Sequence, residues 1–249
     1  MTIREPRTVE LPTPTGPMRV LVHQPAGDGR HPGLVLFSEI FQVTAPIRRT
    51  AAFLAGHGFI VATPEIYHEL EPAGTVLAYD QAGADRGNAL KTAKELASYD
   101  ADARAVLAYL RGHEQGTGAA GAMGICIGGH LAFRAALNPG VGAAVCFYAT
   151  DLHKGGLGKG MNDDSLARAA EIKGELLMIW GRQDPHVPEA GRLKVYQALS
   201  AAGANFTWHE FNGAHAFLRD EGPRYDAELA HLGLGMAVSL FRRVLGTGA

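Results

Sequence analysis

The 249-residue chain has little cysteine, little net charge and no long apolar run. Its two cysteines, Cys126 and Cys146, do not make the disulfide framework of a small secreted domain. They are expected to be reduced thiols, in keeping with a cytoplasmic protein. The formal net charge is only -2 and there is no Lys/Arg run, so neither nucleic acid nor an anionic membrane is an expected partner. No apolar stretch approaches the ~20 residues that span a bilayer. The first residues, MTIREPRTVELPTPTG, mix acids and prolines and carry no apolar core of a signal peptide. They read as a ragged strand or turn leading into the fold.

Apolar residues make up 47% of the chain, enough for one sizeable core, and a single domain over 1–249 is expected. Short apolar runs alternate with longer helical stretches. That alternation predicts an α/β fold, a mainly parallel central sheet with helices on both faces. Met18 to Val22, Gly33 to Phe37, Phe59 to Thr63, Ala119 to Ile125, Ala143 to Tyr148, Glu175 to Trp180 and Phe206 to Phe211 read as strands. Helices are expected over 46–57, in two pieces over 85–113, and over 131–137, 187–202 and 225–245. Residues 65–84 are rich in turn formers and read as a loop over the top of the sheet.

Chemistry concentrates in three places. Gly124-Ile125-Cys126-Ile127-Gly128-Gly129 stands between a predicted strand and a predicted helix. This is a nucleophile-elbow pattern with Cys in place of Ser. The glycines are needed because the nucleophile sits on a sharp turn, where side chains two residues away on either side would clash. The turn puts the Cys126 sulfur at a helix N-terminus, and the Ile127 N–H points where an oxyanion would form. Cys146 lies inside an apolar strand and reads as an inert core thiol. After the strand ending at Trp180 comes Gly181-Arg182-Gln183-Asp184-Pro185, and after the strand ending at Phe211 comes Asn212-Gly213-Ala214-His215. The order nucleophile, acid, histidine makes His215 the candidate base and Asp184 the residue that holds its tautomer. His130 reads as a packed or rim residue and His186 as a residue lining the site. No histidine spacing suits a metal, and neither metal nor cofactor is expected.

Taken together, G-I-C-I-G-G, G-R-Q-D and G-A-H-A-F-L-R resemble the dienelactone hydrolase family of α/β-hydrolases. Ser38-Glu39-Ile40-Phe41 is similar to that family's E-I-F-G segment, and Pro64-Glu65-Ile66-Tyr67 to its P-D-L-Y segment. The resemblance covers nearly the whole chain. It implies a carboxymethylenebutenolidase-type hydrolase that opens a small ester or lactone through a thioester. It implies that Glu39 holds the resting thiol and assists its deprotonation. Arg219 would pair with Glu39 or bind a substrate carboxylate, and the N–H groups of Ile40 and Ile127 would form the oxyanion hole. Gln42 departs from the pattern, standing where the family has Gly. Between Tyr67 and Lys94 the family places an arginine and aromatics that grip the substrate carboxylate; here Tyr79 and Arg86 are what the stretch offers. Tyr67 and Tyr148 are candidates for lining the site, with a core aromatic as the other reading of each. The rival activities are a general carboxylesterase and a hydrolase of activated esters or phosphotriesters. A non-catalytic binding protein on a hydrolase scaffold is the rival from another class. A monomer or small homo-oligomer is expected.

Overall fold

A computed structural model describes residues 1–246; residues 247–249, the last of the expected domain, lie outside the described residues. Eight strands form one sheet: β1 (Arg7–Thr13), β2 (Gly16–His23), β3 (His31–Phe37), β4 (Ile60–Pro64), β5 (Gly116–Ile125), β6 (Val141–Phe147), β7 (Glu175–Gly181) and β8 (Phe206–Phe211). Their order is β1-β2-β4-β3-β5-β6-β7-β8. β1 and β2 pair antiparallel, as do β2 and β4, and every other neighbour is parallel. The mainly parallel sheet is therefore as expected. The N-terminal segment is more regular than a ragged lead-in: it is a full edge strand hairpinned to β2.

The helices are α1 (Ala45–Gly56), α2 (Gln81–Ala93), α3 (Leu96–Arg111), α4 (Ile127–Ala136), α5 (Glu189–Ala201) and α6 (Ala227–Leu245). Two cores flank the sheet. One packs α3, α4 and α5 against it, and the other packs α1 and α6. β3 and β6 show why the inner strands read as unbroken apolar runs. Val35 and Phe37 enter the first core while Leu34 and Leu36 enter the second; Ala144 and Cys146 enter the first while Ala143, Val145 and Phe147 enter the second. Both faces of each strand are covered, so no polar alternation survives.

Register sets the site. Phe37 pairs with Gly124, Gly124 with Cys146, Cys146 with Met178 and Met178 with Trp208. This row runs across the carboxyl ends of five adjacent strands, so the loops that follow them open on one edge. The two helices expected over 85–113 are α2 and α3, the first beginning earlier because Asp80 caps it by accepting from the Gly83 N–H. The segment between β6 and β7 carries two short 3-10 turns, Leu152–Lys154 and Leu166–Glu171, which the apolar pattern does not announce. No helix among the described residues is long and apolar enough to cross a membrane.

Candidate active site

Cys126 is the single residue between β5 and α4, with φ 64° and ψ -122°. A side chain rarely adopts this backbone, so the surrounding structure must hold it there. The glycines allow it. A Cβ on Gly124 would overlap the carbonyl of Gly128, and one on Gly128 would overlap the carbonyl of Phe37. The Cys126 N–H donates to the Phe147 carbonyl at 3.1 Å, and its own carbonyl accepts from Gly129 at 2.9 Å and from Thr150 at 3.2 Å. Ile127 heads α4, where a backbone amide has no acceptor one turn back.

Opposite this turn, His215 Nδ1 and Asp184 Oδ2 lie 2.6 Å apart, both buried. The other oxygen of Asp184 accepts from the His186 N–H at 2.7 Å. Burial alone would raise the Asp184 carboxyl, but its hydrogen bond and charge interaction with His215 and the His186 amide hold it below its ordinary value. For His215 burial works the other way, against the cation. The charge on the Cys126 sulfur and the hydrogen bond to Asp184 outweigh it and push the imidazole up to about 10. The ring is also boxed in by edge contacts with Tyr148 at 4.8 Å and His186 at 4.7 Å. His186 is lowered, by burial first and then by the neighbouring His215 charge.

Glu39 follows β3 and is 2% exposed. Its Oε1 lies 3.8 Å from Arg219 Nη1, and its Oε2 accepts from the Tyr79 hydroxyl at 3.1 Å. That hydroxyl has one proton, so it accepts from Thr44 Oγ1 at 2.6 Å. The Arg219 guanidinium lies over the Tyr79 ring at 4.3 Å and near Phe41 at 5.5 Å. Burial raises the Glu39 carboxyl, against the pull of Arg219, His215 and Tyr79.

Cys126, His215, Glu39, Tyr79, Phe41 and Arg219 line one cavity of about 300 Å³, together with Ile40, Thr150 and His186. Its far wall carries Lys91 and Asp151, an ion pair at 2.6 Å between α2 and the turn after β6, and the cations Lys154 and Arg224. Sequence reasoning missed this wall. Its residues come from the irregular segment after β6, from one face of α2 and, for Arg224, from the segment just before α6, none of which carried a signal at these positions. Three expected site residues lie elsewhere. Arg86 is half exposed, donates to Glu71 at 2.6 Å and does not line the cavity. Tyr67 is fully buried in the first core, its hydroxyl donating to the Gly87 carbonyl at 3.2 Å. Tyr148, also fully buried, reaches the site only by backing the His215 ring.

One further cluster is not announced by spacing. His68, Glu69 and Asp102 converge closely enough for a metal. The Lys94 ammonium already sits among them, 3.0 Å from Glu69 and 2.7 Å from Asp102, so the cation these carboxylates surround is a side chain.

Residues 18–245 match the model of the Dienelactone hydrolase family. The chain belongs to that family. A Saccharomyces cerevisiae relative provisionally named carboxymethylenebutenolidase is 40% identical over 92% of this chain and 87% of its own. The carboxymethylenebutenolidase of Pseudomonas putida is 29% identical over 81% of each. Among solved structures, one from Klebsiella pneumoniae provisionally described as a dienelactone hydrolase superposes with a TM-score of 0.82 at 23% identity, covering 98% of this chain and all of that one. A dienelactone hydrolase-like promiscuous phosphotriesterase from metagenomic libraries gives 0.79 at 21%, covering 99% and 100%. These two likenesses establish the α/β-hydrolase fold. The departure from the dienelactone hydrolase pattern at Gln42 also has an explanation in the backbone. Gln42 holds φ 66°, a conformation natural to glycine, and offsets the strain through its side chain. Its amide nitrogen donates to Thr75 and its oxygen accepts from the Tyr67 N–H.

Proposed function

We propose that this member of the dienelactone hydrolase family cleaves small esters or lactones with Cys126 as nucleophile, His215 as base and acid, and Asp184 as the residue that orients it. The observation that carries the reading is the pairing of a strained Cys126 at the head of α4 with a buried His215 already bonded to Asp184. Cys126 gives its proton to His215, the sulfur attacks the carbonyl carbon and the carbonyl electrons move to oxygen. The N–H groups of Ile127 and Ile40 are the donors for that oxyanion. As the oxyanion collapses the C–O bond breaks, and the leaving oxygen takes the proton from His215. In a lactone the leaving oxygen stays on the acyl chain as an enol or alcohol. Water then gives a proton to His215 and its oxygen attacks the thioester, releasing acid and thiolate. An enol leaving group suits this chemistry, because it departs with little help from an acid. The steps need no cofactor, and two free cysteines fit a reducing, cytoplasmic setting.

Glu39 and Arg219 make the cavity selective in this reading: Arg219 offers a charge to an acidic substrate, and Glu39 is released as that substrate competes for it. The test is turnover of a dienelactone, p-nitrophenyl esters and a phosphotriester by the purified protein and by Cys126→Ala. Loss of turnover in the variant by about a thousandfold or more is the expected result. A fully active Cys126→Ala would overturn the reading. Preference for the phosphotriester over every carboxylic ester would keep the nucleophile and replace the substrate class.

A further inference from the structure

The hydroxyl of Thr150 lies 3.8 Å from the Cys126 sulfur, which is its one hydrogen-bond partner among the described residues. A threonine in an irregular segment ordinarily turns its hydroxyl to nearby backbone. Here it turns away from the backbone toward the sulfur, and Thr150 is itself part of the cavity wall.

The position is held from behind. The Thr150 N–H donates to the Cys126 carbonyl at 3.2 Å, and the Thr150 carbonyl lies 3.1 Å from His130 Nδ1. A carbonyl only accepts, so Nδ1 carries a proton. The other ring nitrogen meets Ser165 Oγ at 2.8 Å and Asp163 Oδ1 at 3.2 Å. Asp163 in turn accepts from the N–H groups of Leu157 and Ser165. Ser165 Oγ also accepts from Arg134, which pairs with Asp100 and Asp164. His130 and Ser165 are fully buried. One helix side chain thus staples the segment after β6 to the first turn of α4. These contacts hold the Thr150 backbone on both sides, its N–H and its carbonyl, in the position from which its side chain reaches the sulfur.

We propose that Thr150 is a positioning residue for the nucleophile, its hydroxyl donating to the charged Cys126 sulfur and holding it aimed into the cavity, with the His130–Asp163–Ser165 staple fixing that hydroxyl in place. The proposal rests on Cys126 being the nucleophile. A hydrogen bond to the charged form favours that form. The hydroxyl therefore favours the form of the sulfur that attacks. Other groups also face this sulfur: His215 after β8, Glu39 after β3, Arg219 beyond His215, Tyr67 and Tyr148 in the packed layer around it, and Lys91 with Asp151 across the cavity. All of them stay in place when the hydroxyl alone is removed.

The experiment compares wild type, Thr150→Val and Thr150→Ser, with Cys126→Ala beside them. Iodoacetamide labelling of Cys126 is followed by mass spectrometry from pH 5 to 10, and turnover is measured at neutral pH. Thr150→Val keeps the shape of the side chain. It should label about three- to tenfold more slowly at pH 6, converge on wild type at pH 10, and lose a similar factor in kcat with KM nearly unchanged. Thr150→Ser restores the hydroxyl and should come back to within about twofold of wild type, the remainder being rotamer freedom. If Thr150→Val follows the wild-type labelling curve, the hydroxyl is idle. If Thr150→Ser is as slow as Thr150→Val, the methyl group matters and the hydroxyl does not. Either result overturns the proposal while an inactive Cys126→Ala leaves the nucleophile standing. An active Cys126→Ala instead removes the nucleophile and the Thr150 role with it.

Discussion

The guanidinium of Arg219 rests 4.3 Å above the ring of Tyr79, a residue forty positions beyond the glutamate that both of them hold. Tyr79 therefore acts on the Glu39–Arg219 pair twice, with its ring on the cation and its hydroxyl on the carboxylate. Tyr79→Phe removes only the second contact and Tyr79→Leu removes both. A cation over an aromatic face is worth about 0.5–2 kcal/mol. KM for an acidic ester should rise modestly in Tyr79→Phe and about three- to tenfold in Tyr79→Leu, with a neutral ester much less affected. Equal shifts for the two esters would show that the tyrosine only shapes the cavity.

Glu39 makes the stability of the protein depend on pH in an unusual direction. Burial lifts its carboxyl above the ordinary 4.5, so between that value and the raised one the folded chain keeps a proton that the unfolded chain has released. Stability contributed by this residue falls as pH rises through that window. Glutamine does not titrate. The melting temperature of Glu39→Gln, relative to wild type, should therefore climb as pH is raised from about 4. Calorimetry giving a constant difference from pH 4 to 9 would contradict this.

The imidazole of His215 is raised to about 10, and its partners are the Cys126 sulfur and Asp184. A raised histidine stabilises the fold fully below its unfolded value of about 6.5 and loses that contribution as pH climbs through the folded value. NMR titration of the ring should show imidazolium persisting well above neutral pH in wild type. In Cys126→Ala the sulfur's charge is gone and the midpoint should drop. An unchanged midpoint would assign the effect to Asp184 alone.

Cys146 sits in the core between β5 and β7, and burial pushes its thiol far up. Native protein should take a single iodoacetamide label, on Cys126, and a second only after denaturation. Arg86→Ala should leave KM for acidic esters within about twofold of wild type, because this arginine pairs with Glu71 outside the cavity. A large rise in that KM would mean that Arg86 reaches the substrate after all.

The parts of the site that were legible in the sequence are those the backbone demands. Gly124 and Gly128 are forced by close carbonyls, and Asp184 and His215 stand just beyond strands whose apolar faces can be read. Thr150, Lys91 and Asp151 carried no such signal. Their place depends on how the segment after β6 folds back, which is decided by buried polar contacts such as His130 with Asp163 and Ser165. The sequence leaves Tyr67 open between site-lining and core for a related reason. A strand-end tyrosine faces either a cavity or a core, and only the Gly87 carbonyl that takes its hydroxyl decides which. The edge strand β1 was hidden by Pro12 within it, by Pro6 and Pro14 on either side, and by its half-exposed pattern.

The reacting groups are drawn from the whole length of the chain, from Glu39 after β3 to Arg219 after β8. During synthesis the elbow leaves the ribosome well before the strand that carries His215. If the proposed triad holds, Cys126 gains its base only once β8 is paired with β7, so a chain still being made would carry the nucleophile unassisted.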